Sequence, residues 1–358
     1  MAAKEKKTVL FTACGGWPTC GTIDTLRRGE RYDYRIIGVD CCPNTATLNY
    51  VDELYKVPRF YEDGYINTLL LICHAKKVDV LVPLISDEIP IINENRDLFE
   101  SEGISILMSG KDSMIMTANN KYDLDQFLQE NDIHIMPKSI MLTKENAEDA
   151  LNELGYPDKP VCLKCIDACG SSGFRIIDDK MAKEIVFARS RAFRASRWVS
   201  KAQFMDALDN LEPDFMLQEY LPGEELGTIC LVDHGRTVYS PSHRNIDMEF
   251  STTTYCELVN DEDANAIATK LNRMLNLDGN IGYDFKRDED GKLMLMEINP
   301  RISATVSLAE KAGLNLVELG VLHAMGEEID ESIVPEYGLR LMRNYGTLYE
   351  KEGVPRGR

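Results

Sequence analysis

Apolar residues over the first hundred positions come in short runs separated by polar turns. Thr8-Val9-Leu10-Phe11-Thr12 reads as a first strand, followed by a glycine turn at Gly15-Gly16 and a helix-compatible stretch to Arg28. Tyr34–Asp40, Tyr55–Val57 and Val78–Pro83 read as further strands. Between the last two, Ile66, Leu69, Leu70 and Cys73 recur at helical spacing within 65–77. Strands alternating with helices predict a parallel sheet with crossover connections.

A boundary falls near 109–113, after the strand run 104–108. Beyond it, 119–131 reads as a helix with Leu124, Phe127 and Leu128 on one face. Strand-rich stretches at 161–177, 215–240 and 281–299 then interleave with helical ones at 145–154, 180–210, 262–276 and 304–325. This mixture predicts an α+β part folded separately from the first hundred residues. Residues 331–358 end in a polar stretch expected to fray.

Composition narrows the class. The chain has 358 residues, 44% hydrophobic and 28% charged, as in a soluble globular protein. No run of 18 apolar residues occurs, and the first apolar run is too short for a signal-peptide core, so a cytoplasmic protein is expected. A net charge of −19 disfavours nucleic acid and anionic membranes as partners. Ten cysteines suit reduced thiols in that compartment. Cys162, Cys165 and Cys169 begin like a metal motif, yet no second pair or nearby histidine completes four ligands. The glycines after the first strand, with Asp40 ending the second, lack the G-x-G-x-x-G spacing of a dinucleotide fingerprint.

The strongest chemical signal is Ile281–Arg301. Asp290-Gly291 between two strand-like runs predicts a two-residue hairpin turn. Counting outward pairs 287 with 294 and 284 with 297, so Asp284 faces Glu297. Like charges directly opposed across strands are destabilising, and two carboxylates there call for a cation. Period two adds Asn299 to the same face. Oxygen ligands alone select a hard ion such as Mg²⁺, and Arg301 is placed to reach a phosphate held by it.

Two weaker signals accompany it. Lys164 ends the strand Val161-Cys162-Leu163, and Gly170-Ser171-Ser172-Gly173 follows before another strand at 174–177. Such a loop can lay N–H groups against phosphate oxygens, with the lysine as a point charge. It is not a P-loop, because the G-x-x-x-x-G-K-[ST] pattern is absent. Phe215–Glu225 runs from an apolar strand into a Pro-Gly turn and two acids, which can offer main-chain groups to a base and a carboxylate to a ribose.

Taken in order, these stretches resemble the ATP-grasp family, and within it the synthetase half of carbamoyl phosphate synthase large chain. The resemblance covers about 8–325, and Glu297-Ile298-Asn299-Pro300-Arg301 is its most specific piece. It implies an α/β parallel-sheet pre-ATP-grasp domain over 1–113, then α+β ATP-grasp domains over 114–330, with a lid over about 140–215 and a tail over 331–358. It further implies that Lys121 and Lys164 contact ATP phosphates beneath the loop Gly170, Ser171, Ser172 and Gly173. Gln218 and the backbone of Glu219 and Leu221 would hold adenine, and Glu225 ribose. Asp284, Glu297 and Asn299 would carry Mg²⁺, with Mn²⁺ an admissible replacement. Arg301, Arg244 and Lys164 would serve the chemistry, Arg244 facing the acyl phosphate and the substrate carboxylate.

The implied reaction is ATP-dependent ligation of a small carboxylate to an amine through an acyl phosphate, with a homodimer allowed. Two alternatives stay open: phosphorylation of bicarbonate, as in carbamoyl phosphate synthesis, and a nucleotide-binding module without turnover. One departure is Ser172, where relatives acting on small acids often carry arginine; Arg175 could substitute.

Overall fold

Lys6–Phe11 (β1) has four buried residues at its end and takes the centre of a parallel sheet. Its neighbours are Asp33–Asp40 (β2), Glu53–Lys56 (β3), Val80–Val82 (β4) and Ser105–Ile106 (β5), in the order β3-β2-β1-β4-β5. The near-continuous apolar strands reflect burial on both faces. On one face Leu10, Ile37 and Leu81 meet Leu69 and Cys73 of the helix Tyr65–Lys76. On the other, Val9, Phe11 and Ile36 meet Ile23 and Leu26 of the helix Thr19–Arg27. That second face is completed from far along the chain, by Val306 and Ala309 and by Leu316, Val317 and Val321. The two parts expected to fold separately therefore share a core.

The computed structural model describes residues 4–16, 18–42, 46–166, 173–186, 197–210, 215–249, 252–344, 350–351 and 354–355. Its second sheet contains Ser139–Met141 (β6), Val161–Cys165 (β7), Arg175–Ile177 (β8), Trp198–Val199 (β9) and Phe215–Glu219 (β10), in the order β6-β10-β7-β8-β9. Leu151, Leu163, Ile177, Phe204 and Leu217 form its core under the helices Ala147–Glu153 and Lys201–Ala207. Period two then turns Lys164 and Gln218 to the opposite face. Within the stretch expected to be helical over 180–210, the described residues form the helices Asp179–Val186 and Lys201–Ala207, with β9 before the second.

The third sheet is the largest. Glu225–Asp233 (β11), Arg236–Tyr239 (β12), Ser242–Glu249 (β13), Thr252–Val259 (β14), Gly279–Arg287 (β15), Leu293–Asn299 (β16) and Arg340–Met342 (β17) make seven strands. Their order is β16-β15-β11-β13-β14-β17, with β12 on the free end of β11. One face packs Leu226, Ile281, Tyr283 and Phe285 on the helices Lys121–Glu130 and Glu262–Met274. The other carries Gly227, Asp284 and Glu297 in one cross-strand row. β13 lies beyond the strand-rich stretch expected over 215–240. β17, which pairs with β14 inside the tail 331–358, was not anticipated. Among the described residues, no helix is long and apolar enough to cross a membrane.

Candidate functional site

The β15–β16 hairpin brings Asp284 opposite Glu297, by a different route from the one anticipated. Asp288 N–H donates to Lys292 O (3.0 Å), and Gly291 adopts φ +81°. The connection is thus three residues with a left-handed glycine, and Arg287 pairs with Leu293 rather than Met294. A bulge then places Met296 as an extra residue between Leu295, which pairs with Phe285, and Glu297, which pairs with Asp284. The bulge restores the register the looser turn had lost.

Around this pair the charges converge. Lys121, the first residue of its helix, is placed by the Asn120 side chain, which accepts from the N–H groups of Tyr122 and Asp123. Its ammonium lies 2.9 Å from Glu297. Asn299 donates to Asp284 at 2.9 Å and to Glu297 at 3.4 Å, while its carbonyl accepts from Arg301 at 3.1 Å. The Arg301 Nε is buried with no partner among the described residues. Burial and the facing Glu297 lift the Asp284 carboxyl well above the usual carboxylate range. Burial also pushes Glu297 upward, but Lys121, Lys164 and Asn299 together outweigh it and hold it low.

Across the cleft, Lys164 donates to Gln218 Oε1 at 2.5 Å, and burial pulls its ammonium pKa below the ordinary value. Glu225 pairs with Lys286 at 3.1 Å, and Lys286 lies over the Tyr220 ring. The main-chain N–H of Glu219 is bonded to Lys138 O (2.9 Å), so its carbonyl is the group left for a base edge. Leu221 is buried just past the strand end. Of the loop, Gly170, Ser171 and Ser172 lie outside the described residues, as does Cys169; Gly173 has φ +70°. Cys162 is a buried free thiol.

Arg244 does not join the group. It pairs with Leu226 and Glu257, whereas its neighbours His243 and Asn245 pair with Gly227 and Glu225. Alternation therefore turns Arg244 to the face opposite Asp284. There it forms an exposed pair with Glu224 at 2.7 Å. The same register reveals His243 on the row of Asp284 and Glu297, with Gly227 between. Its Nε2 lies 3.3 Å from Thr305 Oγ1, and burial lowers its pKa to about 4.

Gly227 is needed for that arrangement, because a Cβ there would fall 2.3 Å from His243 Cε1. Gly227→Ala should cost about 1–3 kcal/mol, the usual range for overpacking a filled site. Urea unfolding measures it, and an unchanged midpoint would mean the ring leaves freely.

The sequence scan missed further lining residues. Ser86 lies 3.4 Å from Asn299 Oδ1, and its carbonyl accepts from Asn119 at 3.1 Å. Lys286 was legible as the residue two beyond Asp284 on one face of a strand.

The donors suit a hard divalent cation: two opposed carboxylates and an amide oxygen that reaches them if the Asn299 amide turns over. In overall shape the chain matches the solved structure of N5-carboxyaminoimidazole synthetase from Staphylococcus aureus complexed with ADP. The TM-score is 0.65 at 15% identity, over 92% of this chain and 80% of that one. It also matches L-amino acid ligase from Bacillus licheniformis, with a TM-score of 0.63 at 15% identity, over 93% of this chain and 78% of that one. Residues 211–346 match the family model "ATP-grasp in the biosynthetic pathway with Ter operon".

The chain has the ATP-grasp fold.

Residues 9–107 match the "PylC-like, N-terminal domain" model, so a parallel-sheet domain precedes the ATP-grasp part, as anticipated. Carbamoyl phosphate synthase large chain from Archaeoglobus fulgidus is 25% identical over 312 residues, covering 85% of this chain and 27% of that protein. The chain thus spans about a quarter to a third of the length of the curated relatives it matches.

Proposed function

We propose that this ATP-grasp chain is a ligase that uses ATP and Mg²⁺ to activate a small carboxylate and transfer it to an amine. The observation that carries the proposal is the convergence of Lys121, Lys164, Lys286 and Arg301 on Asp284, Glu297 and Asn299, between the second and third sheets. Phosphoryl transfer needs alignment and charge neutralisation rather than a protein nucleophile. Lys121 and Lys164 are suited to hold phosphate oxygens, and the loop 170–173 to cover them. Gln218, the Glu219 carbonyl and Leu221 line an adenine position, and Glu225 a ribose position.

Asp284, Glu297 and Asn299 would hold Mg²⁺, or Mn²⁺ in its place, and the bound ion would supply positive charge to the phosphates. In the first step a substrate carboxylate oxygen attacks the γ-phosphorus and ADP leaves. In the second, the amine nitrogen attacks the acyl carbon, phosphate leaves, and the nitrogen gives up a proton. Arg301, anchored through Asn299, is suited to orient the carboxylate and the transferring phosphoryl group. An ATP-consuming reaction and reduced thiols suit a cytoplasmic setting.

The test is ADP release over a panel of amino acids, other small acids including bicarbonate, and amines. Release that requires both a carboxylate and an amine is the expected result. Release with bicarbonate alone would favour the carbamoyl phosphate type of reaction. ATP binding without turnover on every combination would leave a nucleotide-binding module.

A further inference from the structure

Glu225 and Asp233 lie at opposite ends of β11, about 26 Å apart at ~3.3 Å per residue. At the Asp233 end a second cavity, of about 1290 Å³, opens between the edge strand β5 and the segment following the helix Leu316–Ala324. Three side chains from separate elements converge on its wall. They are Asp233 at the end of β11, Asp278 just before β15, and His323 on the last turn of that helix. One ligand atom of each lies within 4.8 Å of the other two. His323 Nε2 is 2.7 Å from Asp278 Oδ1, and the His234 main-chain N–H donates to the same oxygen at 3.0 Å.

Charge in the cluster does not balance. Asp233, Asp278 and Glu331 are three carboxylates against one permanent cation, Arg236, which touches both Asp233 and Glu331 at 2.7 Å. With His323 neutral, as a metal-ligating imidazole must be, two negative charges stay uncompensated. Arg236 is exposed and can keep Glu331 while releasing Asp233. Of the other charged groups lining the cavity, Arg96 and Glu100 pair with each other at 3.0 Å and Glu327 pairs with Arg31 at 3.5 Å, while Glu328 adds to its negative potential. A helix C-terminus, where His323 lies, also favours positive charge.

We propose that Asp233, Asp278 and His323 bind one divalent first-row transition-metal ion, separate from the ion of the ATP cleft. An imidazole beside two carboxylates favours Mn²⁺ or Zn²⁺ over Mg²⁺, whose sites are built from oxygen. The His234 N–H fixes the Asp278 carboxylate from behind, in the manner of outer groups that orient metal ligands. The cavity gives the ion its way in. Once bound, it ties the end of β11, the approach to β15 and the last turn of the helix into one unit. This site does not depend on the proposed ligase activity.

Mn²⁺ is the probe, because the exposed thiols Cys41 and Cys42 would compete for Zn²⁺. Full-length Glu297→Gln protein, which weakens the cleft site, is stripped with chelator and titrated without nucleotide, free Mn²⁺ being read by electron paramagnetic resonance. One ion per chain is expected, with affinity at least ~10-fold weaker in Asp278→Asn and in the more exposed Asp233→Asn. Mn²⁺ should raise the melting temperature of the parent and of neither variant. Pulsed resonance on the parent should show nitrogen coupling from His323, since the cleft set contains no imidazole. Absence of stoichiometric binding, binding indifferent to both variants, or a bound ion without nitrogen coupling would each overturn the proposal.

Discussion

Glu297→Gln should lower ATP turnover by at least ~10²-fold, the range lost with one electrostatic catalytic contact, and leave the chain folded. The substitution is nearly isosteric, so the three-residue turn and the bulge at Met296 keep their geometry. Two electrostatic features go. The carboxylate pair loses one of its two charges, and Lys121 loses the negative charge 2.9 Å away that now holds its ammonium over the cleft. Stability responds in the opposite direction. Asp284 is buried and faces a like charge, so removing Glu297 relieves it, which offsets the lost pair with Lys121. The denaturation midpoint should therefore be unchanged or higher while kcat falls. Steady-state ADP release and urea unfolding on the same preparation decide the matter, and full activity in this variant would remove Asp284 and Glu297 from the metal assignment.

Much of that site is local in sequence, which is why it was legible. Asp284, Glu297, Asn299 and Arg301 belong to one hairpin, where a turn signal and period two fix the facing pair. The intermediate steps were less secure, since turn and register both differed and a bulge invisible to pattern reasoning corrected them. Arg244 failed for a related reason. Its face depends on the pairing of β13 with β11, and the polar sequence Ser242–Glu249 has no apolar alternation to reveal that register. A shift of one residue exchanges the faces, and it is His243 that reaches the cleft side. The first sheet was read nearly strand for strand because its buried apolar runs are continuous. What the sequence could not show was the cover of its second face by Val306–Ala324, a contact nearly three hundred residues away. The merger of the two parts into one core is tertiary information.

Glu88 gives the second large effect, this time on stability. It follows β4 at the point where the strand order reverses, and only 4% of its surface is exposed. Thr12 donates a hydrogen bond to its carboxyl. Burial, opposed by that bond and reinforced by Asp40 and Asp87, lifts its pKa from 4.5 to about 7. The sign follows from proton counting. The folded chain holds this proton more tightly than the unfolded chain, so the stabilisation is fully present below pH 4.5 and is lost as pH rises through 7. A tenfold change in proton affinity is worth ~1.4 kcal/mol, so the loss comes to about 3 kcal/mol by pH 8. Glu88→Gln keeps an oxygen to accept from Thr12 and carries no charge at any pH. The variant should match the parent near pH 4 and exceed it by about 3 kcal/mol at pH 8, in urea titrations across that range. Parallel curves for the two proteins would mean the carboxyl is hydrated in solution. Divergence would identify a stability cost carried two residues from Ser86, which touches Asn299 in the proposed ATP cleft.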